Sequence, residues 1–307
     1  MFAIIAVIIN RLRVKSCNEY YIKDKNGVGG KINKLCQGRG KKLIVVTDFD
    51  HTMTSFRTNR GAKVPQCHDM IEKSKTFTSI SGWKEAWDAL WARQREERKL
   101  SSYDMAKWWE RAHSIITKYG LKDKDIGRVL DEYKSQIYIR QGIRDLFKYC
   151  KENDIPIVIV SAGITNVVCE ILHRERIDIT KNVAVCSNEI IFKKDGSIKE
   201  FTSPVVHAES KGKIRSLRKG FFDVHKDRTN VVLMGDSICD PRASQNITNL
   251  GTCLSVGFLD VPNEDGSYGW RHSPLSMYSD VYDILVPRDG SAHCVFDLIR
   301  KITENKK

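Results

Sequence analysis

Three unbroken apolar runs punctuate the chain, and each ends in a polar group. Residues 42–48 read KLIVVTD, residues 156–161 read PIVIVS before Ala162-Gly163, and residues 230–236 read NVVLMGD. Weaker runs occupy 183–187, 252–257 and 283–287. Runs without polar alternation fit strands covered on both faces, as in a parallel sheet between helices. Between them apolar residues recur at helical spacing. Ile143, Leu146, Phe147 and Cys150 share one face, as do Val167, Val168, Ile171 and Leu172, and then Val295, Leu298 and Ile299 after Ser291, a candidate N-cap. Strand alternating with helix predicts an α/β fold, a Rossmann-like parallel sheet with right-handed crossovers.

Residues 56–137 break that alternation. They hold no apolar run of strand quality but three helical patterns: Trp83, Trp87, Leu90 and Trp91; then Met105, Trp108, Trp109, Ala112, Ile115 and Ile116; then Ile126, Val129, Leu130, Tyr133 and Ile137. The expected organisation is a lead-in over 1–41, a core over 42–55 and 138–307, and a helical cap inserted at 56–137. The basic, glycine-rich stretch 23–42 reads as a loop or solvated lead-in. The apolar run 2–9 is too short to span a bilayer and lacks the flanks of a signal peptide. A short buried or frayed terminal segment is expected there, with no membrane association.

Composition narrows the picture. The 307 residues are 41% hydrophobic and 29% charged, which excludes wholesale disorder and a polytopic membrane protein. A net charge of +13 points to anionic partners: phosphorylated small molecules, nucleic acid or an acidic surface. The cysteines are nine, an odd number, with no CxxC, which favours a reducing, cytoplasmic setting over a disulfide framework or a zinc site.

Chemistry concentrates at the strand ends, where open α/β sheets place their sites. Asp48 and Asp50, two residues apart, can serve one reacting centre, Asp48 attacking phosphorus and Asp50 protonating the leaving oxygen. Ser161, Ala162 and Gly163 before a helix offer a hydroxyl and backbone N–H groups to a phosphate. Asp236 and Asp240 in GDSICD suit a hard cation with oxygen ligands. Lys211, between the second and third elements, can neutralise phosphate charge. Each alone is weak; their order is the signal.

That ordered set resembles the haloacid-dehalogenase-like phosphatases, and within them the cytosolic pyrimidine 5′-nucleotidases, the cytosolic 5′-nucleotidase III family. The resemblance runs from residue 42 to the C-terminus. It rests on TDFDHTMTSF at 47–56, PQCH at 65–68, Trp108-Trp109 with His113, VSAG at 160–163, His207 with Lys211, and LMGDSICD at 233–240. It implies that Asp48 is the nucleophile, forming an aspartyl-phosphate, and a Mg²⁺ ligand. Asp50 becomes general acid and then base, its carbonyl also on the metal. Asp236 is the third protein ligand, Asp240 supports the metal, and Ser161, Ala162 and Lys211 hold the phosphate. The family's base-contacting glutamate aligns with Gln94 or Glu96. Ala112 stands where relatives accepting methylated guanylate have serine, Trp109 where tyrosine is usual, and Cys239 where glycine is usual. The tryptophan cluster has two readings, the core of a small helical cap or, through Trp108 or Trp109, a face that stacks on the base; His51 is expected to line the pocket wall.

The expected function is Mg²⁺-dependent hydrolysis of nucleoside 5′-monophosphates, pyrimidine ones foremost, by a monomer with no stable nucleic-acid partner. Two alternatives stand beside it: a phosphatase of the same fold for a non-nucleotide monophosphate, and a basic nucleic-acid-binding protein. The second leaves the four motifs unexplained.

Overall fold

The structure, a computed structural model, describes residues 20–38, 40–96, 102–264, 266–268 and 273–304; the apolar run 2–9 lies outside them, as do the side chains of Gln94 and Glu96. Six parallel strands form the sheet: β1 (Leu43–Thr47), β2 (Ile157–Ile164), β3 (Val183–Asn188), β6 (Asn230–Gly235), β7 (Cys253–Phe258) and β8 (Ile284–Val286), in the order β3-β2-β1-β6-β7-β8. β1 and β6 are buried along their whole length, which is what an unalternating Val/Ile/Leu run requires. The chain winds one way from β1 through β2 to β3, and the other way from β6 to β8. The order therefore reverses beside β1, and the crevice outside the carboxyl ends of β1 and β6 opens there.

The helices are α1 (Lys25–Gly38), α2 (Cys67–Glu72), α3 (Lys75–Thr78), α4 (Trp83–Glu96), α5 (Ser102–Lys118), α6 (Asp123–Tyr133), α7 (Ile143–Glu152), α8 (Thr165–Arg174), α9 (Lys219–Val224), α10 (Leu275–Val281) and α11 (His293–Glu304). Helices α2 to α6 lie between β1 and β2, and no strand of the main sheet occurs among the described residues there.

Helix α1 corrects the expectation of a loop over 23–42. Val28, Ile32 and Leu35 stand four and three residues apart and make a buried stripe, while the lysines point outward. Packing of that stripe against β7 and α11 outweighs the cost of Gly27, Gly29 and Gly30 within the helix, each about 1 kcal/mol relative to alanine. Just before it, Tyr21 pairs with Leu285 through two backbone hydrogen bonds and covers the edge of β8. A second, antiparallel pair, β4 (Ile190–Phe192) and β5 (Ile198–Phe201), has no counterpart in the apolar runs. Its strands are short and half-exposed. Its turn meets the start of α6, where the Asp123 N–H donates to the Gly196 carbonyl at 2.9 Å.

The loop after β1 is fixed by one residue, Arg140, whose side chain is 1% exposed. Its guanidinium donates to the carbonyls of Thr52 (2.7 Å), His51 (2.6 Å) and Gly290 (2.7 Å) and pairs with Asp289 at 2.8 Å. Asp289 accepts in turn from the Phe56 and Arg57 N–H groups. The planar fork also lies 4.2 Å from the centroid of the Phe258 ring. Arg140→Met removes every donor and leaves Asp289 and three carbonyls short of partners, so a loss of about 3–5 kcal/mol is expected. Arg140→Lys restores charge without the fork and recovers only part. Urea unfolding midpoints check this; an unchanged midpoint for the methionine variant would refute the clamp.

Candidate active site

Asp48 follows β1 and Asp236 follows β6, the two strands at the reversal point. With Asp240 they bring carboxylate oxygens within 4.8 Å of one another. Lys211 Nζ donates to Asp48 Oδ1 at 2.6 Å and to Asp240 Oδ1 at 2.7 Å. Three acids thus face one ammonium with almost no water. Burial pushes the Asp48 carboxyl up against the pull of Lys211, and pushes Asp236 well above the ordinary carboxylate range. Burial disfavours the Lys211 charge too, yet Asp240 and Asp48 outweigh it and hold the ammonium protonated.

Buried amides hold these groups. Asp240 Oδ2 accepts the Asp236 and Ser237 N–H groups at 2.9 and 2.8 Å, which closes the turn after β6. Lys211 sits on the short 3-10 segment Ala208–Lys213, and Asn246 Nδ2 donates to its carbonyl at 2.7 Å. Asn188 Nδ2 donates to the Ala162 and Val206 carbonyls at 2.8 and 2.9 Å, tying the Ser161 stretch to the segment that carries Lys211. Ser161, Ala162 and Gly163 precede a helix as expected, but the strand does not end at Ser161. They are the last part of β2, where pairing with β3 slips register between Val160 and Ile164. The Gly163 N–H donates to Ser161 Oγ at 2.9 Å.

Asp50 stands apart from the acid cluster. Its Oδ1 accepts from the Cys67 N–H at 3.1 Å and the Cys67 thiol at 3.3 Å, both at the start of α2. Burial, with Asp48 nearby, pushes its carboxyl up to about 7. A carboxyl with that pKa can hold a proton and give it up. Arg140, Asn188 and Asn246 carry no sequence signal of their own, because each works through backbone groups remote along the chain, whereas Cys67 stands in the PQCH motif with no role legible there.

One residue past Cys67 an aromatic group begins. His68 lies 4.2 Å from Trp109 between ring centroids, and His113 lies 4.0 Å from Phe201 with an interplanar angle of 3°. These rings come from α2, α5 and β5, so the group spans the insertion and the β4–β5 pair. Nε2 of His68 and Nε2 of His113 are buried without a partner. Burial holds both rings neutral, with the His113 pKa lowered to about 4. The tryptophans divide. Trp109 is partly exposed, whereas Trp108 is 6% exposed, with its ring between those of Trp91 and Trp109. Ala112 is fully buried. His51 does not line an open wall; its ring stacks on Phe56, and Nε2 lies 3.1 Å from the Val64 carbonyl.

A parallel sheet reversing beside β1, an Asp-x-Asp turn on that strand, and a lysine and further acids from later crossovers define a haloacid-dehalogenase-like phosphatase. Solved structures carry the same fold: cytosolic 5′-nucleotidase IIIB bound to cytidine (TM-score 0.77, 23% identity, 92% of this chain and 93% of that one) and a haloacid-dehalogenase family hydrolase of Salmonella enterica serovar Typhi (0.50, 14%, 87% and 72%). The sequence profile of the pyrimidine 5′-nucleotidase (UMPH-1) family matches residues 51–303, and the chain belongs to that family. Relatives include the 7-methylguanosine phosphate-specific 5′-nucleotidases of Gallus gallus (28% identical, covering 92% of this chain and 95% of the relative) and Mus musculus (27%, 88% and 88%). A putative cytosolic 5′-nucleotidase 3 of Caenorhabditis elegans is 26% identical over 91% of this chain and 74% of its own length. The expectation of a 5′-nucleotidase, a phosphoric monoester hydrolase, is borne out.

The aromatic group makes stability depend on pH. A histidine in the unfolded chain titrates near 6.5, whereas folded His113 titrates near 4. Between those values the unfolded state binds the proton first, so His113 stabilises the fold fully above pH 6.5 and less as pH falls towards 4, by about 3 kcal/mol in all. His113→Phe keeps a ring against Phe201 and abolishes that titration. Urea unfolding at pH 7 and pH 5 should show a smaller acid loss in the variant than in the parent; equal losses would contradict the assignment.

Proposed function

We propose that this chain hydrolyses nucleoside 5′-monophosphates, pyrimidine ones foremost, to nucleoside and phosphate, with Mg²⁺ as cofactor. The observation that carries the reading is the continuity from Asp50 through Cys67 and His68 to Trp109. It sets a proton-donating carboxyl at one end of a short stretch of α2 and a stacking surface at the other. A nucleotide presents phosphate ester and base in the same relation.

Asp48 attacks phosphorus. The new bond is Asp48 Oδ to phosphorus, and the bond that breaks joins phosphorus to the 5′-oxygen, which takes the proton of Asp50. Asp50, now a carboxylate, removes a proton from water as that water attacks the aspartyl-phosphate, and Asp48 is freed. Lys211 offsets phosphoryl charge, and the Ser161 hydroxyl with the Ala162 N–H receives the phosphoryl oxygens, the Gly163 N–H holding Ser161 Oγ in place. The donor set of Asp48, the Asp50 carbonyl and Asp236, with Asp240 in support, is all oxygen and anionic, which fits a hard divalent cation. When bound, Mg²⁺ withdraws charge from the phosphoryl group.

The insertion over 56–137 is read as a cap that carries base recognition. Trp109 supplies the stacking face, while Trp108 and Ala112 belong to its core. The two unpartnered imidazoles offer hydrogen bonds to a base edge. A second reading, 7-methylguanosine 5′-phosphate as substrate, follows from the relatives' names, and the Trp109 face suits a cationic base. The free thiols among the described cysteines accord with a cytoplasmic enzyme.

Phosphate release is to be measured on UMP, CMP, GMP, 7-methyl-GMP and a baseless phosphate ester, with Mg²⁺ and with EDTA. Asp48→Asn should abolish release in a folded protein. Trp109→Ala should lower kcat/KM for preferred nucleotides by ~1–3 kcal/mol and spare the baseless ester. Release unaffected by EDTA or by Asp48→Asn, or equal losses on all five substrates for Trp109→Ala, would defeat the corresponding part.

A further inference from the structure

We propose that Tyr282 is a positioning residue for the cation site. Its ring fills a slot between two glycines, and its hydroxyl fixes the turn that carries Asp236 and Asp240. This rests on the reading of Asp48, Asp236 and Asp240 as the Mg²⁺ site.

Three observations carry it. The Tyr282 hydroxyl donates to the Ser237 carbonyl at 2.7 Å and lies 3.4 Å from Asp240 Oδ2, while the ring is 4% exposed. Gly235 and Gly257 are register partners on β6 and β7. A Cβ on Gly235 would lie 2.4 Å from the Tyr282 hydroxyl oxygen, and one on Gly257 would lie 2.8 Å from the Tyr282 ring. Two strands thus lack side chains at the one level where the phenol crosses them towards the turn. A tyrosine needed only for packing would not require its oxygen to reach the Ser237 carbonyl. That bond holds the peptide between Asp236 and Asp240, the same stretch whose N–H groups bind Asp240 Oδ2. The base of the slot is anchored separately: Asp283, the next residue, accepts from Lys31 at 2.6 Å and from the Ser255 N–H at 2.9 Å. Without the hydroxyl the turn keeps its acids but gains freedom, and their convergence on a cation weakens.

The test is the rise in Tm of the whole protein with added Mg²⁺, which reads cation affinity without turnover, alongside the Mg²⁺ concentration for half-maximal phosphate release. Tyr282→Phe should raise both Mg²⁺ constants about tenfold, with nucleotide KM at saturating Mg²⁺ little changed. Gly257→Ala, which alters none of the acids, should displace the ring and shift both constants the same way. If Tyr282→Phe lowers Tm without Mg²⁺ but leaves both constants unchanged, the residue only packs and the proposal is overturned. If the parent itself shows no Mg²⁺-dependent rise in Tm, the cation reading fails first, an outcome distinct from failure of the tyrosine alone.

Discussion

Asp48, Asp240 and Lys211 meet at the end of the central strands with 7%, 2% and 4% of their surfaces exposed, and Asp236 joins them from the neighbouring strand. Taking an ionised carboxylate out of water costs several kcal/mol unless fixed donors replace the water. The surrounding architecture answers that cost. The turn after β6 gives two N–H groups to Asp240, Lys211 gives its ammonium to two acids at once, and Asn246 holds the lysine's own backbone. One ammonium serves three carboxyl groups, and burial answers their crowding by pushing Asp48 and Asp236 upward.

The opposite end of the site is governed by a different economy of contacts. Asp50, just past β1, leans on α2 through Cys67, so the two acids of the Asp-x-Asp turn are held differently, Asp48 by Lys211 and Asp50 by the start of the insertion. The aromatic group repeats this division, since His68, Trp109 and His113 belong to the insertion and Phe201 to the β4–β5 pair. The seam between the two parts therefore passes beside Asp50. Family membership and the relatives' names agree on a 5′-nucleotidase and name different bases.

Much of the core was legible because the physics that buries a strand also shapes its sequence. The runs before Asp48, Ser161 and Asp236 could be little else, and the polar residue ending each had to emerge at a sheet edge. Helix α1 was not legible, because glycine and lysine mask a stripe of only Val28, Ile32 and Leu35, whose partners are far away in sequence. Arg140 looks like any arginine in a basic chain; its meaning lies in carbonyls that the loop after β1 exposes only once folded. Trp108 and Trp109 could not be told apart, since adjacent helical positions diverge by about a hundred degrees and nothing local says which side is covered. The extension of β2 through Gly163 escaped notice because a serine, an alanine and a glycine read as the end of a strand.

The position of β1 bears on how this chain comes to be folded during its synthesis. β1 is made early, but its neighbours β2 and β6 begin at Ile157 and Asn230, and α1, earlier still, packs on α11, which ends at Glu304. β1 therefore lacks its first neighbour until β2 ends at Ile164 and its second until β6 ends at Gly235. The insertion, rich in near-neighbour helical contacts, can condense in the meantime, whereas the parallel sheet depends on closing long loops and is intrinsically slow. Closure of the parallel sheet, with its long loops, and not condensation of the insertion is therefore expected to set the pace of folding.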